Sequence, residues 1–312
     1  MASASERPLV SIITPFLDAE RFFAEAIESV RAQTYDRWEL VLVDDGSRDG
    51  SRRIAEEYAA RAPERIRVIE HPGRENRGSS AARNLGFTHA RGEVIALLDA
   101  DDVYLTGKLA HQVALLEAHP EAGAVYGTTQ YWYSWTGRAE DLARDRARRR
   151  GIAADSLVMP GTVLGRILGN EARTPCTCGI VMRRGAVVRA GGFEDSFRGM
   201  YDDQVFFYKL FATSAVWVDG ACYDRYRQHP DSMCHRARAA GEWDGSDRPN
   251  EFGRRFLEWL AAYVDAQNIQ DRALRRELTR QQRAYSNPIG YRLATIAERL
   301  RLTRRRRSGP RE

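Results

Sequence analysis

Several common features are scarce or missing in this sequence of 312 residues. It has four cysteines, and Cys176 and Cys178 are not separated by the two residues that are typical of zinc sites. No apolar run reaches the roughly 18 to 20 residues that a membrane-spanning helix needs. The N-terminus lacks a basic region followed by an apolar core, so we expect no signal peptide, reduced cysteines and a cytoplasmic protein.

The sequence also lacks the two glycine-rich loops that most often bind phosphate groups. The turn after the first predicted strand reads TPFLDAERF, which contains no glycine and excludes the G-x-G-x-x-G loop of dinucleotide-binding folds. No G-x-x-x-x-G-K-[ST] segment occurs either. A nucleotide bound here must therefore have its phosphates neutralised in another way.

The positive net charge of +5 comes from two arginine-rich segments. They are RDRARRR at residues 144–150 and RLRLTRRRR at residues 299–307. Such segments are most often a solvated loop and a tail, and the alternative is attraction to anionic lipid headgroups or to an acidic substrate. The segments show no aromatic-basic pattern of a nucleic-acid-binding module, so we expect no nucleic-acid partner.

Strand-like and helix-like segments alternate over the first 130 residues. LVSIIT, WELVLVDD, IRVIE and EVIALLD predict strands, and segments with helical periodicity separate them. This alternation predicts an α/β fold with a mostly parallel central sheet that helices cover on both faces. From residue 136 the alternation fails, and we expect a mobile insertion at 138–159. We divide the chain at residues 1–135, 136–245 and 246–312, the last being a basic helical C-terminal extension.

Two of the predicted strands end in acidic residues. Asp44 and Asp45 end the second strand, and Asp99 and Asp101 follow the fourth in ALLDADD. Because ligands of open α/β sheets bind beyond the carboxyl ends of the strands, both clusters should face one crevice. Carboxylates this close repel each other, and Mg²⁺ and Mn²⁺ prefer such oxygen ligands. The sequence therefore predicts a site for a divalent metal ion and a nucleotide diphosphate.

Five motifs occur in order over residues 8 to 230: VSIITPF, VLVDDGSRDGS, NRGSSAARNLG, ALLDADD and GMYDDQVFF. As an ordered set they resemble the family 2 glycosyltransferases, which have the GT-A fold. The resemblance implies an inverting enzyme that moves a sugar from a nucleotide-diphosphate sugar, UDP-sugar by default, to an acceptor hydroxyl. The acceptor would be a glycan, a lipid-linked sugar or another hydroxyl compound in cell-surface polysaccharide synthesis. Residues 1–135 would bind the donor, and residues 136–245 would supply the acceptor side and the catalytic base.

The resemblance also implies roles for individual residues. Donor-binding residues are expected at Pro15, Phe16, Leu17, Asp45, Arg83, Asp99, Ala100 and Asp101. Asp101 is expected to be the main metal ligand, with Asp99 and His229 close to the same Mg²⁺ or Mn²⁺ ion. Asp203 is implied as the general base, with Asp202 in a supporting role.

The chemistry gives a reason for the acidic pair. A sugar hydroxyl is a weak nucleophile until its proton is removed, and the charge of Asp202 would raise the pKa of Asp203 toward the working range. Phe206 and Phe207, with the aromatic segment YWYSW, are candidates for apolar contact with a sugar ring, and a core role is the alternative. Asn84, beside Arg83, is a further candidate near the base or the diphosphate.

Other interpretations remain open at this point. The family often has Tyr-Asn where this chain has Leu17 and Asp18, so the base of the donor is not fixed. A sugar-phosphate nucleotidyltransferase would use a similar acidic sheet edge but usually has a basic, glycine-rich loop after the first strand. An inactive nucleotide-sugar-binding module is the other alternative. The arginine-rich C-terminus is compatible with peripheral contact with an anionic membrane at its inner face.

Overall fold

The structure is a computed structural model, which describes residues 7–148, 150–242 and 249–286. The chain forms two compact units, one that ends at Arg236 and one that begins at Ala237. The division at residues 135 and 245 that the sequence suggested stays a prediction.

The strands are β1 (Val10–Phe16), β2 (Trp38–Asp44), β3 (Ile66–Glu70), β4 (Val94–Leu97), β5 (Val103–Tyr104), β6 (Ala124–Trp132), β7 (Arg146–Ala147), β8 (Ser156–Val158), β9 (Ile180–Arg183) and β10 (Val216–Arg227). The helices are α1 (Glu20–Arg31), α2 (Ser51–Arg61), α3 (Ser79–His89), α4 (Lys108–Ala118), α5 (Ala139–Leu142), α6 (Leu164–Leu168), α7 (Arg184–Ala190), α8 (Asp202–Thr213), α9 (Met233–Ala239), α10 (Glu251–Ala266) and α11 (Arg272–Ser286).

The strands of the first unit form one sheet, in the order β3-β2-β1-β4-β9-β6-β10-β5. Strands β3, β2, β1 and β4 are parallel to one another, as the strand-helix alternation predicts. Strand β9 is antiparallel to both β4 and β6, and β6 is parallel to β10. The α/β fold is therefore confirmed, and antiparallel pairs enter where the alternation of the sequence ends.

Helices cover both faces of the parallel half. Ile12 of β1 belongs to the same core cluster as Phe23 and Ile27 of α1. Ile13 faces the other side, because successive residues of a strand point to opposite faces. On that side α3 approaches so closely that a Cβ at Gly86 would lie 2.4 Å from Cγ2 of Ile13. Both faces of β1 are thus buried, which explains its nearly continuous apolar sequence.

The expected mobile insertion at 138–159 instead contributes two short strands to the sheet. Strand β7 pairs antiparallel with β6, and β8 pairs antiparallel with β10. Asp145 fixes the connection before β7, since its carboxylate accepts hydrogen bonds from the backbone N–H of Tyr133 at 2.7 Å and of Ser134 at 3.0 Å. A polar side chain organises this segment, so hydrophobic periodicity could not reveal it.

The second unit contains the helical C-terminal region that the sequence predicts. Asn250 caps α10, because its Oδ1 accepts a hydrogen bond from the N–H of Gly253 at 2.9 Å. Each helix buries one apolar stripe, which includes Phe256, Leu257, Leu260 and Val264 on α10 and Leu274 and Leu278 on α11. Within the described ranges, no helix has the length and apolar character required to cross a membrane. The arginine-rich segment 299–307 lies outside the described residues.

Candidate active site

Arg83 of α3 joins two acidic segments that are far apart in the sequence. Its Nη2 donates to Oδ1 of Asp99 at 2.6 Å, and its Nη1 donates to Oδ2 of Asp202 at 2.9 Å. The guanidinium is buried and lies 5.1 Å from the ring centroid of Phe193. Burial lowers the pKa of Arg83, but the charges of Asp99 and Asp202 outweigh burial and raise it. Arg83 therefore stays charged and holds the end of β4 beside the start of α8.

The two acids at the start of α8 differ, because other side chains bind Asp202 whereas Asp203 is more available to a ligand. Asp202 accepts a second hydrogen bond from the hydroxyl of Ser79 at 2.5 Å, so its carboxylate is held on two sides. Oδ1 of Asp203 accepts a hydrogen bond from the backbone N–H of Gln204 at 2.7 Å. Burial, followed by the charge of Asp202, raises the pKa of Asp203 to about 6. A carboxylate with this pKa is suited to accept a proton near neutral pH.

The β4 acidic turn (Asp99, Asp101 and Asp102) directs one carboxylate at an imidazole that follows β10. Oδ2 of Asp101 lies 2.9 Å from Nε2 of His229. The side chains of Asp99 and Asp101 each keep 28% exposure, whereas His229 is buried. The imidazole also packs edge-on against Phe22, with ring centroids 4.8 Å apart. Asp101 and His229 are therefore brought together, as the sequence predicts.

Arg227 binds the β4 acidic turn through both its backbone and its guanidinium group. Its backbone N–H donates to Oδ1 of Asp102 at 2.9 Å, and its Nε donates to the carbonyl oxygen of Asp101 at 2.7 Å. Its Nη2 donates to Oε2 of Glu25 at 2.6 Å. Burial, followed by the charges of Asp101 and Asp99, raises the pKa of Asp102 well above its ordinary value. Asp102 is thus a structural acid, buried beneath the two acids that reach the crevice.

The arrangement at Asp101 fits a divalent cation that substrate oxygens complete. Asp101 and His229 offer an oxygen and a nitrogen, and Mg²⁺ commonly uses one or two carboxylates together with substrate phosphates. Oδ1 of Asp99 is already bound by Arg83. In the part of the chain that the structure describes, no group of three His, Cys, Asp or Glu side chains is arranged to hold a metal ion. Any cation here would therefore depend on the bound nucleotide for ligands.

The β2 acidic turn (Asp44 and Asp45) lies at the carboxyl end of the neighbouring strand. The N–H of Arg77 donates to Oδ1 of Asp45 at 2.8 Å, and the N–H of Gly78 donates to Oδ2 at 2.9 Å. Burial raises the pKa of Asp45, although these hydrogen bonds oppose the shift. Gly78 adopts φ = 89°, which favours glycine, so Asp45 anchors the turn that starts α3. The contact of Asp45 with a nucleobase stays a prediction.

The remaining donor-side residues differ in what they offer a ligand. Phe16 is buried and packs on Phe23, with ring centroids 4.5 Å apart, and Ala100 is buried in the core. Leu17 is 41% exposed, and Pro15 is partly buried. Leu17 therefore has a side chain free to contact a ligand, whereas Phe16 can contribute only its backbone.

Several aromatic and polar candidates have structural roles. Phe206 and Phe207 are fully buried in α8, so the core alternative is correct and they do not form a sugar-binding surface. The side-chain amide of Asn84 donates to the carbonyl oxygen of Phe193 at 2.9 Å and to Oδ1 of Asp195 at 2.7 Å. Asn84 thus holds the loop before α8.

Sequence reasoning gave no individual role to three residues that lie close to these acidic side chains. Ser79 and Arg227 bind the acidic residues, and Arg148 lies close enough to Asp203 for the charge of each to affect the pKa of the other. Arg227 lies two residues before His229, which is a signal that could have found it. Ser79 lies in the motif NRGSSAARNLG and Arg148 in the arginine-rich segment 144–150, but neither pattern shows which acidic residues they approach.

The comparisons with known proteins identify the family. The sequence model described as glycosyl transferase family 2 matches residues 11–189, which is more than half of the chain, so this protein belongs to that family. EpsE of Bacillus subtilis (strain 168), named as a glycosyltransferase, is 44% identical over 112 residues, which are 36% of this chain and 40% of EpsE. TuaG of the same organism, whose name assigns it to teichuronic acid biosynthesis, is 38% identical over 125 residues, which are 40% of this chain and 47% of TuaG. The match thus spans less than half the length of either relative.

Solved structures show the same fold. Staphylococcus aureus TarS 1–349 in complex with UDP-GlcNAc superimposes with a TM-score of 0.67 and 18% identity, over 91% of this chain and 75% of that chain. The mannosyltransferase PcManGT from Pyrobaculum calidifontis, in complex with GDP-Man and Mn²⁺, gives a TM-score of 0.53 and 20% identity, over 94% and 81% of the two chains. At these identities the likeness establishes the GT-A fold alone.

Proposed function

We propose that this protein is an inverting glycosyltransferase that uses Mg²⁺ or Mn²⁺ to transfer a sugar from a nucleotide-diphosphate sugar to a hydroxyl group. The observation that carries the proposal is the double ion pair of Arg83 with Asp99 and Asp202. This double ion pair joins the start of α8, which carries the candidate base Asp203, to the end of β4, which leads into Asp101. Membership of glycosyl transferase family 2 supports the same reaction class.

In the proposed reaction, Asp203 accepts the proton of the acceptor hydroxyl while the oxygen of that hydroxyl attacks the anomeric carbon. The bond between that carbon and the diphosphate oxygen breaks in the same step, and the electron pair stays with the departing nucleotide diphosphate. Attack from the opposite face inverts the anomeric configuration. With a pKa of about 6, Asp203 is largely ionised at neutral pH and can act as the general base.

Asp101 and His229 would hold the divalent ion, with Asp99 beside them. When bound, the ion supplies Lewis-acid stabilisation of the negative charge on the leaving diphosphate. Arg83 keeps Asp99 and Asp202 in place, and Arg227 fixes the backbone of Asp101. These two arginines therefore preorganise the site.

Donor, acceptor and cellular location belong to the same proposal. We take a UDP-sugar as the donor, with GDP- and dTDP-sugars as the alternatives to be tested. The names of EpsE and TuaG support a role in cell-surface polysaccharide synthesis, with a glycan or lipid-linked acceptor. Such acceptors meet nucleotide sugars at the inner face of the membrane, where the arginine-rich segment 299–307 could bind anionic lipids.

A thermal-shift panel tests the donor site directly. UDP-, GDP- and dTDP-sugars are compared with and without Mn²⁺, and one nucleotide should raise the melting temperature more when the metal ion is present. If no nucleotide stabilises the protein under either condition, the proposed donor site is wrong. Analysis of the products then separates reaction classes, because a glycosyltransferase releases the nucleoside diphosphate whereas a nucleotidyltransferase consumes or releases pyrophosphate.

A further inference from the structure

His71 follows β3 and lies next to Asp45 at the carboxyl edge of the sheet. Asp44 and Glu70 are partners in the parallel pairing of β2 with β3, so the residues that follow them are neighbours as well. His71 has extended backbone, with φ = −69° and ψ = 149°, so the alternation of side chains continues through it. Arg52 binds both Asp44 and Glu70 on one face of the sheet. Asp45 and His71 therefore point to the opposite face, where the backbone that leads into α3 binds Asp45.

The loop formed by residues 71–78 curves around Asp45. Its last two residues supply the backbone N–H groups that bind the carboxylate. Its middle lies against the β2 acidic turn, because a Cβ at Gly46 would lie 2.9 Å from the carbonyl oxygen of Arg74. Each oxygen of Asp45 accepts one of the two backbone hydrogen bonds, and a carboxylate has about four acceptor sites. Asp45 can therefore accept a further donor on the side where His71 lies.

The imidazole of His71 is buried without a hydrogen bond. The residue is 5% exposed, and its Nε2 is fully buried with no partner among the residues that the structure describes. Arg83 and His229 also have one unsatisfied buried nitrogen, but their other nitrogens bind carboxylates. Within the same described ranges, no hydrogen bond joins either ring nitrogen of His71 to another residue. Because an unsatisfied buried polar group is destabilising, a ligand that supplies the missing hydrogen bond would be favoured here.

The side chains at this point match one edge of a nucleobase. A carboxylate accepts a hydrogen bond from a ring N–H, and an imidazole N–H donates one to a carbonyl oxygen. Uracil and thymine have the ring N–H at N3 beside the carbonyl at C4, and guanine has the ring N–H at N1 beside the carbonyl at C6. Cytosine and adenine have a ring acceptor beside an amino donor, which is the opposite pattern. Leu17 follows Phe16, the β1 partner of Asp44, and its 41% exposed side chain is available to the face of the base.

We propose that His71 helps to select the nucleobase of the donor, by donating a hydrogen bond to the carbonyl oxygen next to the ring N–H that Asp45 accepts. The inference rests on the proposed function, because it takes a nucleotide-diphosphate sugar as the ligand. It limits the base to uracil, thymine or guanine and excludes cytosine and adenine. The χ2 torsion of histidine is broad and roughly two-fold, so a turn of the ring lets either nitrogen present the N–H.

Arg198 is the competing donor at this edge. A Cβ at Gly78 would lie 3.2 Å from Cγ of Arg198, so this side chain packs on the loop that binds Asp45. Arg198 is exposed, and water can satisfy its guanidinium without a ligand. His71 is buried and has no such alternative, which favours it as the residue that the base completes. The experiment must therefore include both residues.

The test measures calorimetric binding of UDP, CDP, GDP and ADP to the full chain in the presence of Mn²⁺. The wild type should bind UDP at least about tenfold more tightly than CDP, or GDP than ADP, because the mismatched base leaves buried groups unpaired. His71→Phe keeps a planar ring but removes the donor, so the preference should narrow about fivefold, as loss of one neutral hydrogen bond gives. His71→Gln restores a donor and should recover part of the preference. His89→Phe, at the exposed end of α3, is the matched control and should change nothing.

A second measurement changes the base and leaves the protein as it is, so it does not depend on the folding of a variant. 4-Thio-UDP keeps the ring N–H but has sulfur, a weak acceptor, in place of the carbonyl oxygen at C4. It should bind the wild type about fivefold more weakly than UDP, and should bind His71→Phe as tightly as UDP does. If GDP is the better ligand, 6-thio-GDP takes the place of 4-thio-UDP.

The outcomes separate this inference from the proposed function. Equal affinity of the wild type for all four nucleotides would overturn the inference, while the binding itself keeps the proposed function in place. An equal loss for every nucleotide in His71→Phe would show that His71 is only structural. If Arg198→Met narrows the preference and His71→Phe does not, Arg198 contacts the carbonyl and the inference is wrong. If no nucleotide binds the wild type, the proposed function itself fails.

Discussion

The two acidic turns at the carboxyl edge of the sheet are built in opposite ways. In the β2 acidic turn, backbone N–H groups bind the carboxylates: Ser47 donates to Oδ1 of Asp44 at 2.8 Å, and Arg77 and Gly78 donate to Asp45. Ser47 belongs to the same turn, whereas Arg77 and Gly78 belong to the loop that leads into α3. Carboxylates that accept hydrogen bonds from backbone N–H groups need no ligand to be stable.

In the β4 acidic turn, side chains from distant elements are the partners. Arg83 of α3 binds Asp99, and His229, which follows β10, meets Asp101. Both carboxylates keep part of their surface exposed. Such side-chain partners leave lone pairs of the carboxylates free, and a ligand can replace them. We therefore call the β4 acidic turn open, meaning available to a ligand, and the β2 acidic turn closed. The β2 acidic turn thus has a structural role, whereas the β4 acidic turn is suited to binding a metal ion or a substrate.

The largest expected effect is at the candidate base Asp203, on α8, which Arg83 links to the β4 acidic turn through Asp202. Replacing Asp203 by Asn removes the group that accepts the proton but keeps the shape of the side chain. Transfer should fall by about a thousandfold, within the range for loss of a general base, while UDP affinity stays within about twofold. The rate of nucleoside diphosphate release and calorimetric UDP binding measure the two quantities.

A matched control for that variant is Asp36→Asn, at an exposed position before β2. It should leave both quantities unchanged. Transfer by Asp203→Asn at the wild-type rate would exclude Asp203 as the base.

The second comparison concerns the arginine that binds each acidic turn, Arg83 for the β4 turn and Arg52 for the β2 turn. Arg83→Met leaves Asp99 and the buried Asp202 without their cation, so the free energy of unfolding should fall by about 3 kcal/mol or more. Arg52, which binds Asp44 and Glu70, has a side chain with 31% exposure, and Arg52→Met should cost less than about 1 kcal/mol. Urea unfolding of both variants measures the difference. Equal losses would mean that Arg83 does not link the two acidic segments as the structure indicates.

The third comparison measures UDP affinity, with and without Mn²⁺, for one variant in each acidic turn. Asp101→Asn should weaken UDP binding about tenfold when Mn²⁺ is present and have little effect without it, because it removes a charged metal ligand. Asp45→Asn should lower UDP affinity by a similar factor with and without metal, and should also destabilise the fold by about 1 kcal/mol, since two backbone N–H groups lose a charged acceptor. Calorimetry with Mn²⁺ and with a chelator separates the two patterns. If the effect of Asp45→Asn depended on the metal ion, the β2 acidic turn would also take part in metal binding, contrary to this interpretation.

The same contrast explains how much of the fold the sequence could predict. Strands β1 to β4 are buried runs of apolar residues between amphipathic helices, and this local pattern predicts a parallel α/β sheet. The antiparallel insertion of β9 between β4 and β6 depends on contacts between distant segments, which no local pattern encodes. Strands β7 and β8 are short, and polar contacts such as those of Asp145 organise them.

The candidate site was predictable to the extent that its residues end strands or begin helices. Asp101 and Asp203 belong to motifs that the sequence presents in order, and the structure places Asp101 beside His229, which lies outside those motifs. Which carboxylate is bound and which is open was not predictable, because the partners Arg83, Ser79 and Arg227 approach from other elements. Their roles follow from side-chain contacts and not from spacing along the chain.

The smallest expected effect is on the pH dependence of the reaction. Asp203 must be ionised to accept a proton, so kcat/KM should fall as the pH drops below about 6, the pKa that burial and Asp202 give this carboxyl group. The positive charge of Arg148 lowers that pKa, so Arg148→Met should move the acidic limb up by about half a pH unit. Asp202→Asn removes a negative charge and should move the limb in the opposite direction. The pH profiles of kcat/KM for the two variants measure both shifts, and shifts of the same sign would contradict the opposite effects of Asp202 and Arg148 on the pKa of Asp203.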